Sequence, residues 1–145
     1  MNSKTGSLLA LAIAVLGILF LVQGNHIFSK NPISITIQVF AGILMIWSRI
    51  TFGMRSFHAS ANTTAGELVT NGPYKWFRHP IYASLIYFFW ATVISYPFIE
   101  TVGAVVLITG GLFTRMLLEE KFLLATYPDY ADYSKKTKRI IPFLF

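Results

Sequence analysis

Four long stretches of the chain contain no Asp, Glu, Lys or Arg: residues 5–29, 31–48, 81–99 and 101–114. A helix that crosses a bilayer needs about 20 residues, within a range of about 17–25. The first three stretches meet that length. The fourth meets it only if its helix runs on past Arg115, with that residue near the interface or facing a protein interior. In lipid every backbone polar group must be bonded within the segment, so helix is the state open to these runs. Charged residues make up 12% of the 145 residues and apolar ones 54%. A soluble domain carries about 25% charged residues, so this chain has too few to cover a water-facing surface. The expectation is an all-α integral membrane protein with about four transmembrane helices and a cytoplasmic C-terminal helical tail. One membrane domain covers residues 1–145, with spans at about 7–28, 32–54, 80–96 and 98–118.

The breaks between spans have chemical causes. Gly24-Asn25 and Asn31-Pro32 close the first span and open the second, and Tyr96-Pro97 leaves a tight hairpin between the third and fourth. Proline is tolerated at a helix start because the N–H it lacks has no partner there anyway. Gly103 and Gly110 are seven residues apart on one helix face and are expected to let a neighbouring helix approach closely. The N-terminal run lacks a small-residue cleavage site and is expected to stay as a first span. Lys and Arg then set the orientation. Eleven lie before the first span, between the second and third, or after the fourth; only Lys30 lies on the other side. The positive-inside rule places both termini and the 49–80 connection in the cytoplasm. The same rule accounts for the net charge of +6 without nucleic acid as a partner. The bilayer is the expected partner, in a multi-pass protein of a prokaryotic inner membrane.

Two polar sets face that cytoplasmic interface: Tyr74, Arg78, His79 and Tyr82, then Arg115, Glu119 and Glu120. Each has a plain explanation. Arg115 and Glu119 are four apart, the spacing of an intrahelical ion pair. Lys75 and Arg78 fit orientation anchors, and Tyr74, Trp76 and Tyr82 an aromatic belt. Against this, ionisable groups beside spans mark functional sites by default. Together the sets offer cations, carboxylates, phenols and stacking faces, which suit a zwitterionic aromatic ligand. Metal chemistry is not expected: there is no cysteine and no HxxH or HExxH pair, and His26 falls on the opposite side from His58 and His79.

The two blocks resemble those of the isoprenylcysteine carboxyl methyltransferase family and its phospholipid methyltransferase relatives. The first runs from Leu68 through Gly72-Pro73-Tyr74 to Arg78-His79-Pro80-Ile81-Tyr82. The second has Arg115, Glu119-Glu120 and Leu123, then Tyr130, Tyr133, Arg139 and Pro142. The blocks span residues 66–82 and 115–142; the first two spans show no particular resemblance. The likeness implies an S-adenosylmethionine site lined by Gly66, Glu67, Leu68, Val69, Tyr74, His79, Pro80, Ile81, Tyr82 and Glu119, with Arg78 and Glu120 as further candidates. It implies that Arg115 orients the methyl acceptor. Two positions depart from the pattern. Ser84 stands where a glycine is common, and no glutamine lies between Gln38 and the C-terminus.

The implied function is methyl transfer to a carboxylate, or to another small or lipidic acceptor entering sideways from the bilayer. A carboxylate needs only orientation, whereas a thiol or ammonium needs a base such as His79 or Glu120. Two other readings stay open: an NADPH-dependent membrane reductase and a non-catalytic membrane scaffold.

Overall fold

The computed structural model describes residues 3–53 and 67–141. Gly66, His58 and Pro142, all named above, lie outside them, as does the expected end of the second span at residue 54. Five α-helices make up the described fold: α1 (Ser3–Gln23), α2 (Pro32–Phe52), α3 (Pro80–Ser95), α4 (Ile99–Thr126) and α5 (Tyr130–Lys136), with a 3-10 turn over Gly72–Lys75 before α3. The all-helical expectation holds. Neighbours pack in the order α1, α4, α3, α2, so the hairpin of α3 and α4 is the centre and the first two helices flank it.

Among the described residues, three helices are long and apolar enough to cross a membrane: α1, α2 and α4. The marginal span is therefore not the expected one. At 1.5 Å per residue, α3, with 16 residues, is about 24 Å long. The 28 residues of α4 extend about 42 Å. The fourth helix runs past residue 118 to Thr126, carrying Arg115, Glu119 and Glu120 on a continuous helix. The first span stops at Gln23 rather than near 28, because Asn25 adopts a left-handed conformation (φ 55°). The His26 N–H then closes the helix end on the Leu21 carbonyl at 2.9 Å.

Asn31 caps α2, its side chain accepting from the Ile33 N–H at 2.9 Å, with Pro32 in the first turn. The buried positions of α2 are Ser34, Gln38, Ala41 and Ser48, while Ile33, Val39, Phe40, Ile43, Ile46 and Ile50 are exposed. Small and polar residues inside with apolar residues outside is the pattern of a helix that faces lipid. Gln38 ties down the connection from α1: it accepts from the Ser29 N–H at 3.0 Å and donates to the Ile27 carbonyl at 2.9 Å. Tyr96 adds a bond to the Phe28 carbonyl. His26 stacks on Tyr96 and so sits at the Ser95 end of α3, opposite His79 at the Pro80 end.

The expected glycines are not those that pack. A side chain at Gly103 or Gly110 would meet nothing within 4 Å. Close approach occurs instead between α1 and α4, at Gly17 and Gly111. A Cβ on Gly17 would lie 2.7 Å from Ile108 and 2.8 Å from the Ala104 carbonyl, and one on Gly111 would run into the Ala10 carbonyl. Ala10, Ala14 and Leu21 of α1 are buried there with Val105, Ile108 and Leu112 of α4.

Candidate functional site

Pro80 opens α3 and is fully buried, and His79 directly before it is 5% exposed. The preceding turn is fixed by the end of α2. Gly72 has φ 54°, and a Cβ there would press on the Thr51 hydroxyl at 2.7 Å. Tyr74 packs its ring on Phe52 at 5.5 Å between centroids, and Trp76 meets Trp47 edge-on at 6.0 Å. Burial pushes the Tyr74 phenol well above its ordinary range, with Tyr133 next in effect. Burial raises the Tyr133 phenol likewise, so both hydroxyls stay protonated. Tyr133 uses its proton to donate to the Tyr74 carbonyl at 2.7 Å.

The hairpin about Pro97 returns α4 to the start of α3, and the two blocks meet. Tyr82 donates to Glu119 Oε1 at 2.5 Å and accepts from Arg115 Nε at 2.8 Å, although Tyr82 and Arg115 are 33 residues apart. Arg115 Nε also lies 3.4 Å from Glu119 Oε1. The described contacts of Glu119 all go to Oε1, which leaves Oε2 as an acceptor. The Glu119 side chain is 22% exposed, against 7% for Arg115.

Glu120 points about 100° further round the helix and belongs to a second cluster. Its Oε1 lies 3.4 Å from Arg78 Nη1 and 3.4 Å from His79 Nε2. Its Oε2 accepts from Arg139 Nη2 at 2.9 Å and Nε at 3.0 Å. The His79 ring stands edge-on to Tyr82 at 5.7 Å, so the two clusters share a wall. Arg78 Nε, His79 Nε2 and Glu120 Oε1 are buried without a hydrogen bond; the 3.4 Å contacts of Glu120 Oε1 to His79 Nε2 and Arg78 Nη1 are within ion-pair distance only. On the far flank of α4 a groove of about 400 Å³, lined by Leu117, Leu118, Leu124, Lys121 and others, touches Glu120 and Arg139 but not Tyr82, Arg115 or Glu119.

Of the sequence candidates, Tyr82, Arg115 and Glu119 meet directly, as do Arg78, His79 and Glu120. Ile81 is half-buried in the first turn of α3. Glu67 is exposed, and Leu68 and Val69 are half-buried, in the irregular segment leading to the turn. The Ser84 hydroxyl folds onto the Ile81 carbonyl at 2.8 Å in its own helix. Nothing in the local pattern around Arg139, a residue of the second block, shows that it returns to Glu120 of α4.

The sequence profile of the family described as phospholipid methyltransferase matches residues 32–130. The chain belongs to that family. The match begins at α2, so the second span, which on sequence resembled nothing in particular, is part of the phospholipid methyltransferase pattern. Among curated proteins the chain is 28% identical over 118 residues to the protein-S-isoprenylcysteine O-methyltransferase of Xenopus laevis, covering 79% of this chain and 41% of that protein. It is 33% identical over 73 residues to the methanethiol S-methyltransferase of Mycobacterium tuberculosis, covering 48% of this chain and 28% of that protein. The chain thus spans less than half the length of these two relatives. No solved structure matches.

Proposed function

We propose that this phospholipid methyltransferase family member is an S-adenosylmethionine-dependent methyltransferase of the membrane, acting on a carboxylate or another small or lipidic acceptor. The observation that carries the reading is the Arg115–Tyr82–Glu119 chain of hydrogen bonds. It joins the two sequence blocks into one polar wall where α4 passes the start of α3. Family membership favours this reading over the reductase and the scaffold.

The side chains present suit the cofactor. Glu119 offers Oε2 to an ammonium group. Arg78 Nε and His79 Nε2, buried without hydrogen bonds, are donors suited to a carboxylate. Tyr82 and the neighbouring His79 ring present aromatic surface of the kind that attracts a sulfonium. When bound, the cofactor supplies a methyl group already activated by the positive sulfur. The protein's part is then to hold donor and acceptor in line and to exclude water. Arg115, fixed by Tyr82 and Glu119, supplies the positive charge that orients an anionic acceptor. An ionised carboxylate needs no base; a thiol would have to lose its proton to a group such as His79, because Glu120, held as a carboxylate by Arg139 and Arg78, is a weak base.

Calorimetry on the purified full chain tests the reading. S-adenosylmethionine is expected to bind, and Glu119→Ala to weaken binding about tenfold or more, as for loss of a charged hydrogen bond of about 1.5–3 kcal/mol. Arg115→Ala is expected to bind the cofactor and to lose labelled methyl transfer to carboxylate acceptors in reconstituted membranes. Binding of NADPH in place of S-adenosylmethionine would overturn the proposal.

A further inference from the structure

Residues 137–141, which follow α5, do not lie freely on the interface, as a short amphipathic tail would. They pair with the first block as a strand would. The Arg78 N–H donates to the Lys138 carbonyl at 2.7 Å, the His79 N–H to the Arg139 carbonyl at 3.2 Å, and the Lys138 N–H to the Trp76 carbonyl at 3.2 Å. Tyr87 of α3 donates to the Ile140 carbonyl at 2.5 Å. Thr137 and Ile140 are buried.

Arg139 extends this docking into the site through Glu120. The Glu120 side chain is 9% exposed. A carboxylate this buried is costly unless it is paired and hydrogen-bonded. The groups that meet it come from two other parts of the chain: Arg78 and His79 from the first block, and Arg139 from the tail. By contrast, the Lys135–Asp132 pair, with side chains 74% and 76% exposed, is a surface contact of little weight. The two consecutive glutamates therefore have different work. Glu119 faces Tyr82 and Arg115, while Glu120 holds the parts of the wall together.

We propose that Glu120 is a positioning residue: its carboxylate ties Arg139 of the tail to Arg78 and His79, so that docking of the tail and placement of these two donors are one event. The consequence for ligand binding rests on the cofactor reading above; the clamp itself rests on the contacts alone. Without the Glu120 charge, the Arg78 and Arg139 guanidinium groups lose the carboxylate they share. Segment 137–140 then loses its hold, together with its hydrogen bonds to the Arg78 and His79 backbone.

Hydrogen exchange and ligand binding on the full chain test this, comparing the wild type with Glu120→Gln, Glu120→Asp and Arg139→Gln. Glutamine matches glutamate in size, so its effect reports charge rather than packing, and Arg139, at the partly exposed rim, provides a second variant if Glu120→Gln does not fold. Exchange at the Arg78, His79 and Lys138 amides is expected to quicken together, about tenfold or more, in Glu120→Gln and Arg139→Gln, with part of the protection restored in Glu120→Asp. S-adenosylmethionine is expected to bind Glu120→Gln about tenfold more weakly. Its decarboxylated analogue, which lacks the group that Arg78 and His79 face, should bind both proteins alike. Unchanged exchange in both charge-removing variants would overturn the clamp, and equal weakening of both ligands would overturn the positioning role. A wild type that bound neither ligand would remove the cofactor reading and the ligand-positioning role with it, while exchange would still decide the clamp.

Discussion

The hydroxyl of Tyr82 is the smallest group on which the site depends. It donates to a carboxylate and accepts from a guanidinium at once, and so holds the two charges at a fixed separation. Tyr82→Phe keeps the ring and removes this bridge. Arg115 and Glu119, already 3.4 Å apart, would then close into a direct i,i+4 pair and draw the carboxylate away from a ligand. A hydrogen bond to a charged group contributes about 1.5–3 kcal/mol, and part of that returns through the new pair. The expected result is cofactor affinity lowered about tenfold with the thermal transition nearly unchanged, read by calorimetry and a melting curve on the same sample. Unaltered affinity would place Tyr82 outside the binding wall. At this scale the sequence was informative, because Tyr82, Arg115 and Glu119 lie in compact blocks with recognisable spacing. It was silent on Arg139, whose partner Glu120 is 19 residues earlier in the chain, beyond any helical or turn periodicity.

Among the elements, the pairing of α1 with α4 sets the platform on which Arg115 and Glu119 stand. Buried small residues and Gly17 on α1 let it approach Gly111 of α4, and a Cβ at either glycine would strike a backbone oxygen as well as side chains. Gly111→Leu should therefore force the helices apart, with a loss in the range of about 1–3 kcal/mol for overpacking. Gly103→Leu and Gly110→Leu, where a Cβ meets nothing, should leave stability within about 0.5 kcal/mol. A melting series on the three variants checks this ranking, and equal losses would contradict the assigned helix interface. The seven-residue spacing of Gly103 and Gly110 pointed to a packing face, yet spacing states only that two residues share a side, not which side is covered. The helix partners were likewise not legible. The order α1, α4, α3, α2 brings together segments far apart in sequence, whereas the Tyr96-Pro97 break did identify the α3–α4 hairpin. That the fourth helix can run on past Arg115 was legible, and Arg115, Glu119 and Glu120 are all part of α4. They lie on an unbroken helix whose polar face is covered by α3 and the tail.

For the whole molecule, the site and the basic residues share one end. Lys75, Arg78, Arg115, Lys121 and the cations of the tail gather where α3 begins and α4 emerges, while Lys30 sits at the other end beside Tyr96. The positive-inside rule orients such a molecule with its cation-rich end in the cytoplasm. A water-soluble cofactor would then enter from the cytoplasm and an apolar acceptor from the bilayer. The chain has no cysteine, so single cysteines report topology without further engineering. In intact cells, Lys30→Cys should react with a membrane-impermeant maleimide. Lys75→Cys and Lys135→Cys, at exposed positions, should react only after the membrane is opened. The reverse pattern would turn the molecule over, placing the Arg115–Tyr82–Glu119 wall outside the cell and leaving the eleven-to-one distribution of cations without its usual cause. Labelling of all three from outside would mean that Lys30 and the site lie on one side of the membrane. The α3–α4 hairpin would then lie along the interface rather than cross the bilayer, and sideways entry of an apolar acceptor would have no structural basis.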